Sequence, residues 1–167
     1  MTGTTTKNMV LAALFAGLMA ISAWISIPIS DIAFTMQTFA VALALLLLGG
    51  KWGTVSIGIY LLLGFVGLPV FSGFRGGPGV LLGVTGGFLW GFLSTGLCYR
   101  CAEKWRKLLG LILGLLTCYG CGCLWFAYYS GGGLGLILPR CVVPYLVPDA
   151  VKIWLAWTLS KRIKKYV

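Results

Sequence analysis

Residues 67–92 read GLPVFSGFRGGPGVLLGVTGGFLWGF and connect two apolar runs of membrane length. Pro69 and Pro78 interrupt helices because proline lacks a backbone donor and clashes with the preceding turn. The many Val, Leu and Phe side chains make the stretch too apolar for an ordinary solvated loop. In a membrane protein, such irregular backbone is expected where it is buried in protein or lines a cavity. The stretch therefore predicts a binding site, and the alternative is a flexible connector between spans.

The composition is that of an integral membrane protein. Of the 167 residues, 59% are hydrophobic and only 10% are charged, and the mean hydropathy is +0.99. A soluble domain carries about 25% charged residues. The first apolar run, residues 9–27, is too long for a signal peptide and lacks a small-residue cleavage site. We therefore expect one all-α transmembrane domain, residues 1–167.

The apolar runs predict six transmembrane helices, because a bilayer core of about 30 Å needs about 20 apolar residues per helix. The predicted spans are approximately residues 8–27, 34–48, 52–66, 85–99, 108–129 and 145–159. The glycine-rich segment between the third and fourth spans is expected to be external and partly re-entrant.

The basic residues predict the orientation. If the N-terminus is cytoplasmic, all but three of the 13 Lys and Arg residues fall on the cytoplasmic side of six spans. This bias follows the positive-inside rule and predicts a multi-pass cell-membrane protein with both termini cytoplasmic. It also explains the net charge of +10 by topology and lipid headgroup contact, without nucleic acid. The exceptions are Arg75, Arg140 and Lys152.

The sequence offers little for catalysis or metal binding. It contains no histidine and only three acidic residues, which leaves few groups for acid–base chemistry. Two C-x-x-C spacings, at Cys98 and at Cys118, lie at or inside apolar helices, whereas structural zinc sites need four ligands in a closed geometry. We expect no metal, no cofactor and no enzymatic activity, with the six cysteines acting as small apolar residues.

Two ionisable residues in the last span are candidate ligand contacts. Asp149 and Lys152 are three positions apart and share a helix face. Charged groups at membrane depth are costly and are usually paired or functional. The pair is either a structural ion pair or a set of acceptors and donors for a polar head such as a urea or an amide. The remaining acids, Asp31 and Glu103, fall in an external turn and in the basic cytoplasmic loop.

Further polar groups on the same external half complete a predicted pocket. The guanidinium of Arg75 matches a carboxylate bidentately. Thr35 and Gln37 are expected to open the second span, and Thr85 with Gly86 the fourth, where a helix N-terminus favours an anion. These residues predict a site for a small anion with an apolar body and a urea-like end.

Small residues on the first span predict close helix packing. Ala12, Ala16 and Ala20 repeat every four residues, and small residues at this spacing let a second helix approach closely in lipid. The ridge serves either a partner membrane subunit or the protein's own bundle. We expect the partner subunit.

Four motifs in order resemble the BioY family, the biotin-binding S components of energy-coupling factor (ECF) transporters. They are FTMQTFAV at 34–41, YLLLGFVGLPVFSG at 60–73, GGPGVLLGVTGGF at 76–88 and PDAVK at 148–152. The resemblance implies six helices and biotin bound from outside. It also implies assembly with a transmembrane T component, docked on the ridge of Ala12, Ala16 and Ala20, and with two ABC-type ATPases.

The resemblance further implies that Asp149 and Lys152 contact the ureido ring of biotin. The sequence departs from the family's common GPTGGY at Val84 and Phe88, which removes a proline and a tyrosine hydroxyl. Three alternatives remain open: an ECF S component for another vitamin, a membrane-embedded enzyme, and a structural membrane subunit. The chain lacks a P-loop, so ATP hydrolysis would belong to a partner.

Overall fold

A computed structural model describes residues 2–28 and 32–165, most of which are helical. In chain order the elements are α1 (Thr2–Trp24), β1 (Ser26–Pro28), β2 (Ala33–Thr35), α2 (Gln37–Phe65), α3 (Pro78–Leu81), α4 (Gly86–Ala102), α5 (Lys107–Ser130), α6 (Leu134–Cys141) and α7 (Val143–Ile163). The helical class predicted from composition is confirmed.

Within the described residues, four helical stretches are long and apolar enough to cross a membrane. They are Thr4–Trp24, Gln37–Phe65, Lys107–Ser130 and Ile137–Ile163. The last of them runs through α6 and α7. These stretches support the prediction of a multi-pass membrane protein.

The long helix α2 is folded back on itself at Gly49. This residue has φ 78° and ψ 172°, inside a stretch that is otherwise helical, and this conformation is essentially restricted to glycine. Gln37 and Tyr60 are 23 positions apart, yet Gln37 Nε2 lies 2.5 Å from the Tyr60 hydroxyl. The arms 37–48 and 50–65 therefore run antiparallel in the places predicted for the second and third spans.

One end of the bundle, which we call the basic end, brings together residues 49–51, 100–107 and 161–165. Glu103 Oε2 accepts a 2.5 Å hydrogen bond from the backbone N–H of Gly50. Lys164 lies beside Lys107, and partial burial together with this like charge lowers the pKa of Lys164. The fold therefore collects three sequence-distant basic segments at a single end.

The opposite end begins with a short hairpin that the sequence did not predict. We expected the first span to continue to Ile27 and the second to begin at Phe34. Instead α1 ends at Trp24, and Ser26–Pro28 pairs antiparallel with Ala33–Thr35, with Ile27 opposite Phe34. Pro28 restricts the residue before it to extended backbone, and strand pairing then satisfies the backbone groups. Asp31 lies outside the described residues.

Helices α4 and α5 pack closely along their lengths. Thr95 on α4 is buried, and its hydroxyl donates to the carbonyls of Gly91, at 2.9 Å, and Gly114, at 2.8 Å. A Cβ on Gly114 would lie only 2.7 Å from Thr95 Cγ2, so the contact requires glycine on α5. This packing fixes the position from which α5 presents side chains to the cavity described next.

Candidate ligand-binding site

A cavity lies at the end of the bundle opposite the basic end. Its empty volume, which includes the solvent space at its open mouth, is about 800 Å³. Side chains from the hairpin, the loop 71–75 and helices α2 to α7 line it. All predicted ligand-binding residues except Gly86 contribute to the lining: Thr35, Gln37, Arg75, Thr85, Asp149 and Lys152.

The centre of the cavity wall is a buried ion pair. Asp149 and Lys152 are each 4% exposed, and Lys152 Nζ lies 2.7 Å from Asp149 Oδ1. Helix α7 places them on one face because they are separated by three residues. A buried pair of this kind needs further hydrogen bonds to offset the cost of removing both charges from water.

Lys152 finds those further contacts on the hairpin. Its Nζ donates to the backbone carbonyl of Thr35 at 2.7 Å and lies 3.8 Å from the centre of the Phe34 ring. An ammonium group has three donors, of which Asp149 and Thr35 take two, and the Phe34 ring lies against the same ammonium group. Lys152 therefore ties strand β2 to helix α7.

Asp149 retains acceptor capacity toward the cavity. Its Oδ2 accepts a hydrogen bond from the hydroxyl of Tyr119 at 2.5 Å, and its Oδ1 accepts from Lys152. A carboxylate offers about four lone-pair sites, so two of them remain for a ligand N–H. Sequence reasoning missed Tyr119, and its only signal there is a polar aromatic residue inside an apolar helix.

Thr35 and Gln37 form a second polar group beside the ion pair. The hydroxyl of Thr35 donates to Gln37 Oε1 at 2.9 Å, and Gln37 Nε2 donates to the Tyr60 hydroxyl. The sequence predicted that Thr35 opens the second span, but it lies in strand β2. Tyr60, also missed from the sequence, donates in turn to the carbonyl of Val70 at 3.2 Å.

Arg75 lies at the exposed rim of the cavity, in the glycine-rich segment. The backbone N–H of Phe71 donates to the Arg75 carbonyl at 2.9 Å, which closes the loop 71–75. Arg75 Nε donates to the carbonyl of Ser72 at 3.1 Å. The loop therefore presents a guanidinium group at the rim while Phe71, which is 1% exposed, anchors it in the protein core.

Only one of the two residues predicted at the start of α4 lines the cavity. Thr85 lines the cavity, whereas Gly86 is buried outside the lining, with its N–H donating to the Gly83 carbonyl at 2.9 Å. A Cβ on Gly86 would lie 1.9 Å from the Leu81 carbonyl oxygen, so this glycine permits close packing of α3 on α4. Of the two departures from the family pattern, Phe88 lines the cavity and Val84 is exposed outside the lining.

Three of the six cysteines, Cys118, Cys123 and Cys141, are buried, whereas Cys101 and Cys121 are exposed. Cys118 and Cys141 are buried and line the cavity, and Cys123 packs with Cys141 and Ile137 in a separate apolar cluster. Across residues 2–28 and 32–165, no group of three or more Cys, Asp or Glu residues is arranged to hold a metal ion.

The small-residue ridge on α1 lies inside the protein's own bundle. Ala12 and Ala16 are fully buried and Ala20 is 6% exposed. Ser56, on the second arm of α2, donates a 2.8 Å hydrogen bond to the carbonyl of Ala12. The close approach that the spacing predicted is made here by α2, which argues against the prediction that this ridge forms the docking face for a partner subunit. On the neighbouring face, a Cβ added to Gly17 would meet open space.

The fold and the cavity together define a class: a helical membrane protein built to hold a small molecule with a polar head. Residues 1–167 match the BioY family. The chain belongs to that family.

Individual relatives agree with this assignment over nearly the full chain. A probable biotin transporter BioY of Pyrococcus horikoshii is 41% identical, covering 95% of this chain and 96% of its own. The biotin transporter BioY of Thermotoga maritima is 36% identical with the same coverage. The crystal structure of the S-component for biotin from an ECF-type ABC transporter superposes with a TM-score of 0.90 at 26% identity, covering 99% of this chain and 94% of the other.

Proposed function

We propose that this protein is the biotin-binding S component of an ECF-type transporter and takes part in biotin uptake across the cell membrane. The observation that carries the proposal is the buried Asp149–Lys152 pair in the wall of an otherwise largely apolar cavity. Relatives named as biotin transporters cover nearly the whole chain, and the protein performs no chemistry of its own.

The proposed ligand orientation follows from the donors that biotin carries. Its ureido ring has two N–H groups, and the unused lone pairs of Asp149 are acceptors for them. Phe71, Phe88 and Phe92 supply apolar walls for the ring system and the aliphatic tail. The carboxylate of the tail is assigned to Arg75 and Thr85, of which Arg75 lies at the rim.

The proposed topology has six crossings: α1, the two arms of α2, α4, α5 and α7. The basic end is assigned to the cytoplasm, together with both termini, because positively charged segments are retained there. The cavity and the glycine-rich segment then face outward, the latter as a partly re-entrant connection. Cysteine labelling in intact cells, on a background lacking native cysteines, tests this: position 74 should react from outside and position 104 should not.

The proposed partners are a transmembrane T component and two ABC-type ATPases, since the chain itself carries no P-loop. With the ridge of Ala12, Ala16 and Ala20 packed internally, assembly requires other surfaces. The stabilities of Ala16→Trp and Gly17→Trp test whether position 16 packs inside the bundle while position 17 faces open space. Ala16→Trp should destabilise the purified protein, because overpacking a filled interface costs about 1–3 kcal/mol or more. Gly17→Trp should leave folding and biotin binding intact, and equal thermal stability of the two variants would contradict this placement.

The test of the proposed function is ligand binding by the purified protein. Biotin and a panel of other water-soluble vitamins are titrated against protein in detergent or nanodiscs, with heat-denatured protein as control. We expect saturable binding of biotin alone. Saturable binding of a different vitamin, with none of biotin, would assign the protein to a different substrate within the same architecture.

A further inference from the structure

Two runs of hydrogen bonds that meet at Thr35 form a chain of contacts across the cavity end of the bundle. It runs from the Val70 carbonyl through the hydroxyl of Tyr60 to the Gln37 amide and the Thr35 hydroxyl. It continues from the Thr35 carbonyl through Lys152 and Asp149 to the hydroxyl of Tyr119. The chain therefore joins the glycine-rich segment, both arms of α2, the hairpin, α7 and α5.

Tyr60 is the member of this chain that lies behind the cavity wall. It is fully buried and does not contribute to the lining. Its hydroxyl accepts from Gln37 Nε2 at 2.5 Å and donates to the Val70 carbonyl at 3.2 Å. Removing that hydroxyl would leave a buried donor on Gln37 and a buried acceptor on Val70 without their partner, and unsatisfied buried groups are costly.

Tyr60 also supports the loop that carries Arg75. Its ring packs edge-on against the ring of Phe71, with centroids 5.5 Å apart. Phe71 lines the cavity, and its N–H donates to the carbonyl of Arg75. One side chain thus contacts the anchor of the loop 71–75 directly and reaches strand β2 through Gln37 and Thr35.

We infer that Tyr60 is a positioning residue that couples the carboxylate of Asp149 to both flanks of the cavity mouth, the paired strands β1 and β2 and the loop 71–75. This inference rests on the proposed function, because the coupling is measured through the dissociation rate of biotin bound at Asp149. A ligand bound there meets flanks that are held in place relative to its polar head, and loosening either flank should speed its dissociation.

Tyr60→Phe tests the coupling, and the chain contains a matched control in Tyr99→Phe. Both tyrosines are fully buried, but among the described residues the Tyr99 hydroxyl has no hydrogen-bond partner. Each variant therefore loses one buried oxygen, and only Tyr60→Phe breaks the chain. Dissociation of labelled biotin from the purified protein should be about tenfold faster for Tyr60→Phe and unchanged for Tyr99→Phe.

A spin-label distance between the two flanks separates positioning from a merely structural role. Ile27 lies in the hairpin and Leu68 lies in the glycine-rich segment just before the loop 71–75. Both are exposed and accept labels, as cysteine variants on a background without native cysteines. Biotin should narrow the 27–68 distance distribution in the wild-type protein and in Tyr99→Phe. It should leave the distribution broad in Tyr60→Phe, even at temperatures where that variant is fully folded.

Thr35→Val provides the same distance readout if Tyr60→Phe does not fold. It breaks the link to Gln37 but keeps the Thr35 carbonyl that Lys152 contacts, so biotin should again leave the 27–68 distribution broad. Failure of the wild-type protein to bind biotin would reject the proposed function. A different result would overturn the coupling alone. In it the wild-type protein binds biotin, biotin dissociates from Tyr60→Phe and Tyr99→Phe at equal rates, and biotin narrows the 27–68 distance distribution equally in both variants.

Discussion

The two ends of the helical bundle are built on opposite principles. At the basic end the chain reverses at a single residue, Gly49, and the Glu103 carboxylate caps the next arm at Gly50. At the cavity end the connections are long and carry a hairpin, the loop 71–75 and the short helices α3 and α6. The difference teaches that irregular backbone is concentrated where polar groups must converge, whereas the basic end only has to join helices.

The largest expected effect comes from the cavity end, at the ion pair. Asp149→Asn keeps the size of the side chain but leaves Lys152 buried without its counter-charge, a change that costs about 3–5 kcal/mol. It also replaces an acceptor for the ureido N–H groups. Hydrogen bonds to a charged group are worth about 1.5–3 kcal/mol each, so we expect biotin affinity to fall by about 100-fold, since each 1.4 kcal/mol is tenfold. Isothermal titration measures this, and unchanged affinity would remove Asp149 from the site.

The next effect belongs to the basic end and should appear in stability. Gly49→Ala forces a side chain into a backbone conformation that costs about 1–3 kcal/mol for residues other than glycine. The midpoint of thermal unfolding should fall, while the biotin affinity of the folded protein stays the same. Gly17→Ala, at an exposed helical position with open space around it, is the control. A loss of affinity in folded Gly49→Ala would mean that the two ends are not independent.

A smaller effect is expected at the rim of the cavity. Arg75→Ala removes the guanidinium assigned to the ligand carboxylate, and because Arg75 is exposed the interaction is screened and worth up to about 1 kcal/mol. Biotin affinity should fall by about three- to fivefold, whereas the affinity for biotin amide should stay close to its wild-type value. Equal losses for the two ligands would show that Arg75 does not read the carboxylate.

The smallest effect is expected for the cap at the basic end. Glu103→Gln retains an oxygen for the Gly50 N–H but removes the negative charge at a helix N-terminus, worth about 0.3–1 kcal/mol. The unfolding midpoint should fall slightly and biotin binding should not change. A loss of biotin affinity larger than that of Arg75→Ala would contradict the assignment of ligand binding to the cavity end.

The sequence predicted much of the cavity because its signals are local. Asp149 and Lys152 are close in the chain, and proline and glycine mark the segment that carries Arg75. The break of α2 also falls where the second predicted span ends. Such features follow from residue type and helical spacing alone.

What the sequence missed depends on contacts between distant residues. Tyr119 is 30 positions from Asp149, and Tyr60 is 23 from Gln37, so neither spacing reveals the hydrogen bond. The spacing of Ala12 and Ala16 predicts close packing against another helix, but it does not identify that helix. The hairpin was missed because the pairing of Ser26–Pro28 with Ala33–Thr35 overrides the apolar character that suggested helix.

The reversal at Gly49 has a consequence for how the chain is made. The two arms of α2 have 29 residues between them, with Gly49 included. A single free-standing span needs about 20. Neither arm has the length to be retained in a bilayer alone, and no loop separates them. We therefore expect the two arms to leave the insertion machinery together as one hairpin with Lys51 at its tip. Their shortness should also favour a locally thinned membrane around the protein, so lipid chain length becomes a variable of its stability.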